Sequence, residues 1–262
     1  MAPAYCRFSE IMGNLKDFQI ILDNFNDKVE DVKKLLILDD LILDTTVDIL
    51  EERQDSLRKS GIENAHMLGE NALLQVKNIR NNQSLKPGYK LIHNQCVVLL
   101  VSYFSSSMHD FFDTAATNVL RRDLPKKIRN HELKFTIEEL KEYDFDLSKN
   151  IGSIISSKFD ISFQDMGSIT RAMKDYLGIE VPWDKRVNNI IAMQACRHAI
   201  AHAGEAADER LINQLRNSSE RDIQQGLKVG DKVQFSPEEV KLGGEEMIKY
   251  FETISHNLLG SS

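Results

Sequence analysis

Residues 8–58 contain no proline and a single glycine, Gly13, and this stretch constrains the fold more than any other. A segment without helix breakers, in which Phe18, Ile21, Leu22, Phe25, Val29, Val32 and Leu36 recur three or four residues apart, carries the period of a helix face. It predicts one or two long amphipathic helices. Within it, "LLILDDLILD" (35–44) is apolar over too wide an arc for a free helix, and so calls for packing against other elements or another chain. No strict heptad is sustained, so a coiled coil is not assigned.

The remaining punctuation is also sparse. Only 13 Gly and 5 Pro in 262 residues leave few turns for a strand-rich protein, so the expected class is all-α, with long amino-terminal helices. A helix is expected over about 62–81, ending in a turn cluster at Pro87-Gly88. The most core-like helix follows over 89–120, with His93 and Asn94 in its first turn. Between 121 and 182 the pattern breaks into short pieces. Pro182 then precedes another helix, in which Trp183 is expected to anchor the start in the core. Short helices near 205–217 and from Pro237 to about 258 close the chain, with Asp208 and Ser236 as amino-terminal caps. The domain division expected is an amino-terminal helical extension over 1–82 and a helical domain over 83–262.

Charge is unevenly spread. The chain carries a net charge of -7, and residues 1–60 hold 8 Lys/Arg against 13 Asp/Glu. Against this background "RRDLPKKIRNHELK" (121–134) holds six basic residues and two acidic ones. Arg121, Arg122, Lys126 and Lys127 are therefore candidate phosphate contacts, with a solvated helix end as the alternative. Cys6, Cys96 and Cys196 are too few and too dispersed for a disulfide framework or a zinc module. The amino terminus lacks a secretory signal pattern, and "CVVLLVSYF" (96–104) is too short to span a bilayer; a cytoplasmic location is expected.

The segment "ACRHAIAHAGEAADERLINQL" (195–215) carries the chemistry. On a helix through 183–202, Trp183, Val187, Ile190 and Ile191 define an apolar stripe, and Arg197, His198 and His202 continue it. Three readings fit. The helix end emerges from the core and is simply solvated. His198 and His202, four apart on one face, are metal ligands; but HAIAH lacks the glutamate of the zinc hydrolase motif, and a third ligand would have to come from Glu205 or Asp208. The third reading is phosphodiester chemistry. An arginine supplies a permanent forked cation for a phosphate, and a histidine moves protons near neutrality. In RNA the 2′-hydroxyl is an internal nucleophile, so this route needs no metal. Arg197 and His202 are separated by about 140° and about 7.5 Å of rise. One helix therefore makes an awkward complete site, and two copies about a twofold axis make a better one.

Other polar residues were weighed against plain packing. His109-Asp110 is expected as a polar surface pair, with a position facing the motif across the bundle as the alternative. Tyr103, Phe111 and Phe112 are expected in packing. No Gly-rich phosphate loop, Ser/His/Asp order or zincin motif occurs, and neither a cofactor nor a metal is expected.

The spacing Arg-x4-His with a polar residue directly after the arginine, here Arg197, His198 and His202 closed by Gly204, resembles the motif of the HEPN superfamily. "HNQCVVLLVSYFSSSMHDFFDTAATNVL" (93–120) and "VGDKVQFSPEEVKLGGEEMIKYFETI" (229–254) are similar to the core helix and carboxyl-terminal loop and helix of its RiboL-PSP-HEPN-like branch. The resemblance implies a HEPN-type helical bundle that dimerises through the motif helix, 183–202. It implies metal-independent RNA cleavage leaving a 2′,3′-cyclic phosphate, in a toxin or antiviral-defence role, with an antitoxin or regulatory partner. In that reading Arg197 binds the scissile phosphate, His202 is the acid/base group and His198 the polar accessory. Catalytically silent nucleotide-binding or interaction modules share the fold.

Overall fold

A computed structural model describes residues 4–60, 65–81, 86–120, 128, 131–218 and 220–260. It is 76% helical, and among the described residues it contains no strand, which makes the class all-α. The absence of breakers in the first sixty residues gives one helix, α1 (Ala4–Lys59), rather than two. At 1.5 Å per residue it is about 84 Å long.

The two halves of α1 do different work. Phe18, Phe25, Val29, Val32 and Leu36 are buried along one stripe of the first half. They meet α3 (Lys86–Leu120) and α9 (Pro237–Gly260): Phe18 lies 5.0 Å from Phe111, and Phe25 lies 6.0 Å from Phe104 and 6.1 Å from Phe251, ring centre to ring centre. The second half lies against α2 (Ala65–Asn81), joined by the ion pairs Lys77–Glu51, Arg80–Asp44 and Arg58–Glu70. The wide apolar arc of 35–44 is only partly covered. Leu36 is buried, whereas Ile37, Leu41 and Ile42 on the other side are exposed.

α3 is the central post. Cys96, Val97, Leu100, Val101, Phe104, Met108, Phe111, Phe112, Ala115 and Ala116 are all buried, over most of its circumference, because five other helices pack on it. It begins at Lys86, so His93 and Asn94 lie beyond its first turn. Tyr103 packs as expected, half-buried under the Lys28 ammonium. Burial pushes the Cys96 thiol up to about 11 and the Cys196 thiol up to about 12, so both are inert core residues.

The broken stretch that follows forms short elements around this post. They are α4 (Ile137–Glu142), opened by a Thr136–Glu139 capping box, a 3₁₀ turn (Leu147–Lys149), α5 (Ile151–Lys158) and α6 (Met166–Leu177). The basic residues Arg121, Arg122, Lys126 and Lys127 lie outside the described residues. α5 sits against α3 through Gly152, whose N–H donates to Thr117 Oγ1 at 2.9 Å. A Cβ at this position would fall 1.9 Å from the Asp113 carbonyl oxygen, a backbone atom with nowhere to go. Gly152→Ala is expected to destabilise the protein by about 3 kcal/mol, the upper end of ordinary overpacking. Urea denaturation checks this, and a loss below about 0.5 kcal/mol would contradict the close approach.

α7 (Lys185–His202), α8 (Glu209–Asn217) and α9 complete the bundle. Each starts on a side-chain cap. Asp184 accepts from Val187 N–H, Asp208 from Leu211 N–H, and Ser236 exchanges bonds with Glu239. Trp183 corrects the sequence expectation. It precedes the Asp184 cap, so it is outside the helix and off its apolar stripe, and 55% of it is exposed. Its indole N–H donates instead to Asn188 Oδ1 at 3.0 Å.

Candidate active site

α7 is buried for most of its length, with Val187, Ile190, Met193, Cys196 and Ala199 in the core. One side of its last turn is still buried at Ala199 and Ile200, whereas residues 201–204 are exposed. Arg197 is half-buried, and His198 and His202 are exposed, their ring centres 5.0 Å apart. All three line one cleft of about 290 Å³. Its other walls are Gln164 and Asp165 ahead of α6, and Asp208, Arg210, Leu211 and Gln214 at the start of α8.

The turn after α7 is held from three directions. Gly204 (φ 60°) and Glu205 (φ 66°) both adopt the left-handed conformation, which glycine takes freely and glutamate at a cost of about 1–3 kcal/mol. The compensating contacts are explicit. Glu205 N–H donates to the Ala199 carbonyl at 3.1 Å, and its carboxylate accepts from Asn94 Nδ2 at 3.0 Å and Lys232 Nζ at 2.8 Å. Buried Asn94 also donates to the Val233 carbonyl at 2.9 Å and accepts from Phe235 N–H at 3.1 Å. One α3 amide thus ties the end of the motif helix to the loop before α9.

The Lys232 ammonium, then the Asn94 amide, hold the Glu205 carboxyl below the ordinary carboxylate value. A depressed value means that its contribution to stability is present above the ordinary value and is lost as pH falls through the depressed one. Glu205→Gln is therefore expected to flatten part of the stability loss below about pH 5. Urea midpoints measured against pH check this, and an unchanged acid limb would remove Glu205 from the linkage.

These contacts bear on the metal reading. Glu205 faces Asn94 and Lys232, and Asp208 caps α8, so neither carboxylate joins the two histidines. Among the described residues no group of three or more His, Cys, Asp or Glu is placed to hold a metal ion. His109 is absent from the cleft lining. Its Nε2 lies 3.2 Å from Ser156 Oγ, and its ring stacks on Phe163. It faces α5, where burial raises the neighbouring Asp113 carboxyl.

Five polar lining residues were absent from the sequence candidates: Gln164, Asp165, Gln194, Arg210 and Gln214. Gln194 was legible, one helical turn before Arg197 on the same face. Arg210 and Gln214 share the i, i+4 spacing on α8, but only the turn at Gly204 brings that helix to the motif.

The RiboL-PSP-HEPN family model matches residues 69–228, more than half of the chain. The chain belongs to the RiboL-PSP-HEPN family. The matched residues run from within α2 through α3 to the loop beyond α8, and so include the whole of α7 and the cleft. They stop before α9, so the likeness read in 229–254 lies outside them, while α2 enters ahead of the 93–120 likeness. No curated protein and no solved structure matches the chain. A HEPN domain points toward a nuclease or an RNA-binding module. No helix among the described residues is long and apolar enough to cross a membrane.

Proposed function

We propose that this HEPN protein is a metal-independent endoribonuclease. The observation that carries the reading is that Arg197, His198 and His202 line a single cleft open to solvent at the free end of α7. His202 accepts the proton of the 2′-hydroxyl. The 2′-oxygen then bonds to phosphorus, the bond from phosphorus to the 5′-oxygen breaks, and that oxygen leaves with the proton that His202 gives up through solvent. The products are a 2′,3′-cyclic phosphate and a 5′-hydroxyl end. Arg197 stabilises the charge that develops on the phosphorane, and His198 orients the substrate beside it. The separation of Arg197 and His202 along α7 favours a homodimer in which two α7 ends face one RNA strand. RNA is the substrate, with Arg121, Arg122, Lys126 and Lys127 as further phosphate contacts. A cytoplasmic toxin or antiviral effector restrained by an antitoxin or regulatory partner is the setting we assign to it.

The test is incubation of the protein with mixed tRNA and single-stranded RNA in EDTA, followed by analysis of the fragment ends. Cyclic-phosphate ends from wild type, absent with Arg197→Ala and His202→Ala, are expected. A dimer that binds RNA and leaves it intact would make this chain a catalytically silent binding module.

A further inference from the structure

Two hydrogen-bond donors on residues of the cleft wall have no acceptor among the described residues. Gln194 is 8% exposed, and its Oε1 accepts from Met166 N–H at 2.9 Å, which fixes which end of the amide is which. Its Nε2 is closed to solvent and unpaired, and so is Arg197 Nε one turn later. Each such donor costs about 1–3 kcal/mol, and two donors cannot satisfy each other. Both atoms call for an acceptor, and an oxygen without a proton suits the pair. On the facing wall Arg210 is exposed and has no hydrogen-bond or ion-pair partner among the described residues. The cleft's carboxylates are engaged elsewhere: Asp165 accepts from Ser168 N–H at 2.8 Å and Asp208 from Leu211 N–H at 2.7 Å, each at a positive helix end.

We propose that Gln194 and Arg210 are phosphate-recognition residues, which with Arg197 seat the backbone of a single-stranded polynucleotide between α7 and α8. A phosphate oxygen carries negative charge and only accepts, which suits Gln194 Nε2 and Arg197 Nε. Contact with these two atoms, both closed to solvent, requires the half-buried Arg197 side chain to shift. Arg210, the second guanidinium, takes a neighbouring phosphate, so the ligand is a chain of phosphates rather than a mononucleotide. At about 290 Å³ the cleft is far smaller than a duplex, which suits a single strand. The choice of RNA as the strand rests on the nuclease reading; the phosphate seat does not.

The probe is a short fluorescent oligodeoxynucleotide, which lacks the 2′-hydroxyl and so stays uncut, titrated by anisotropy at several salt concentrations. Arg210→Gln is expected to make the dependence of log Kd on log salt shallower by about 0.7, one phosphate contact on a single strand. Gln194→Glu keeps an oxygen for Met166 N–H and replaces the unpaired donor with an acceptor, and is expected to weaken binding at least tenfold. Arg210 is exposed, so its variant carries the test even if Gln194→Glu unfolds. Wild-type affinity and salt slope in the variants would overturn the proposal, as would a wild type that fails to bind. Wild type that binds with these dependences and leaves RNA whole sinks the nuclease reading alone. RNA cut while both variants bind as wild type sinks this proposal alone.

Discussion

His202→Ala is expected to lower the rate of RNA cleavage in EDTA by about 10²- to 10⁴-fold, the contribution of a positioned general base. Arg197→Ala is expected to cost about 10²- to 10³-fold, by removing charge stabilisation at the phosphorane. His202 is exposed and Arg197 half-buried, and neither belongs to the hydrophobic core. Thermal stability should therefore stay within about 0.5 kcal/mol of wild type for His202→Ala, which separates lost chemistry from lost fold. A base that must be unprotonated also sets a direction for pH. The rate should fall toward acid, and a rate indifferent to pH would remove His202 from that role. Cleavage that survives both substitutions would place the activity elsewhere or in a contaminant.

Phe25→Ala is expected to destabilise the protein by about 3–5 kcal/mol. Phe25 is fully buried between Phe104 of α3 and Phe251 of α9, and truncation leaves a cavity that neither ring can fill without moving. In a chain of this size the melting temperature should fall by about 10 °C. Ile42→Ala, on the exposed side of the same helix, should change stability by less than about 0.5 kcal/mol. Thermal and urea unfolding of the two variants test whether the first half of α1 belongs to the bundle. Equal, small losses would detach it.

The long-range order of the chain was already visible in its local pattern. The run of three- and four-residue spacings from Phe18 to Leu36 predicts the buried stripe of α1, because helical period and burial are two views of one face. The caps at Asp208 and Ser236 were legible for the same reason: a cap is made within four residues of sequence. Trp183 falls off the stripe because it stands one residue before the Asp184 cap, and a residue outside the helix does not inherit its face.

The motif itself lies between these cases. Arg197, His198 and His202 share one end of one helix, so their proximity follows from spacing alone. What surrounds them does not. Gln164 and Asp165 arrive from the loop before α6, and Arg210 and Gln214 arrive after a turn through two left-handed residues. Asn94 holds that turn from 111 residues away, to Glu205. By itself the sequence determined an all-α chain, its helix faces and caps, and an Arg–His cluster at one helix end, since each depends on residues a few positions apart. Only the tertiary structure decided which carboxylates and amides reach that cluster and which donors in the cleft lack an acceptor, because those depend on where distant helices meet.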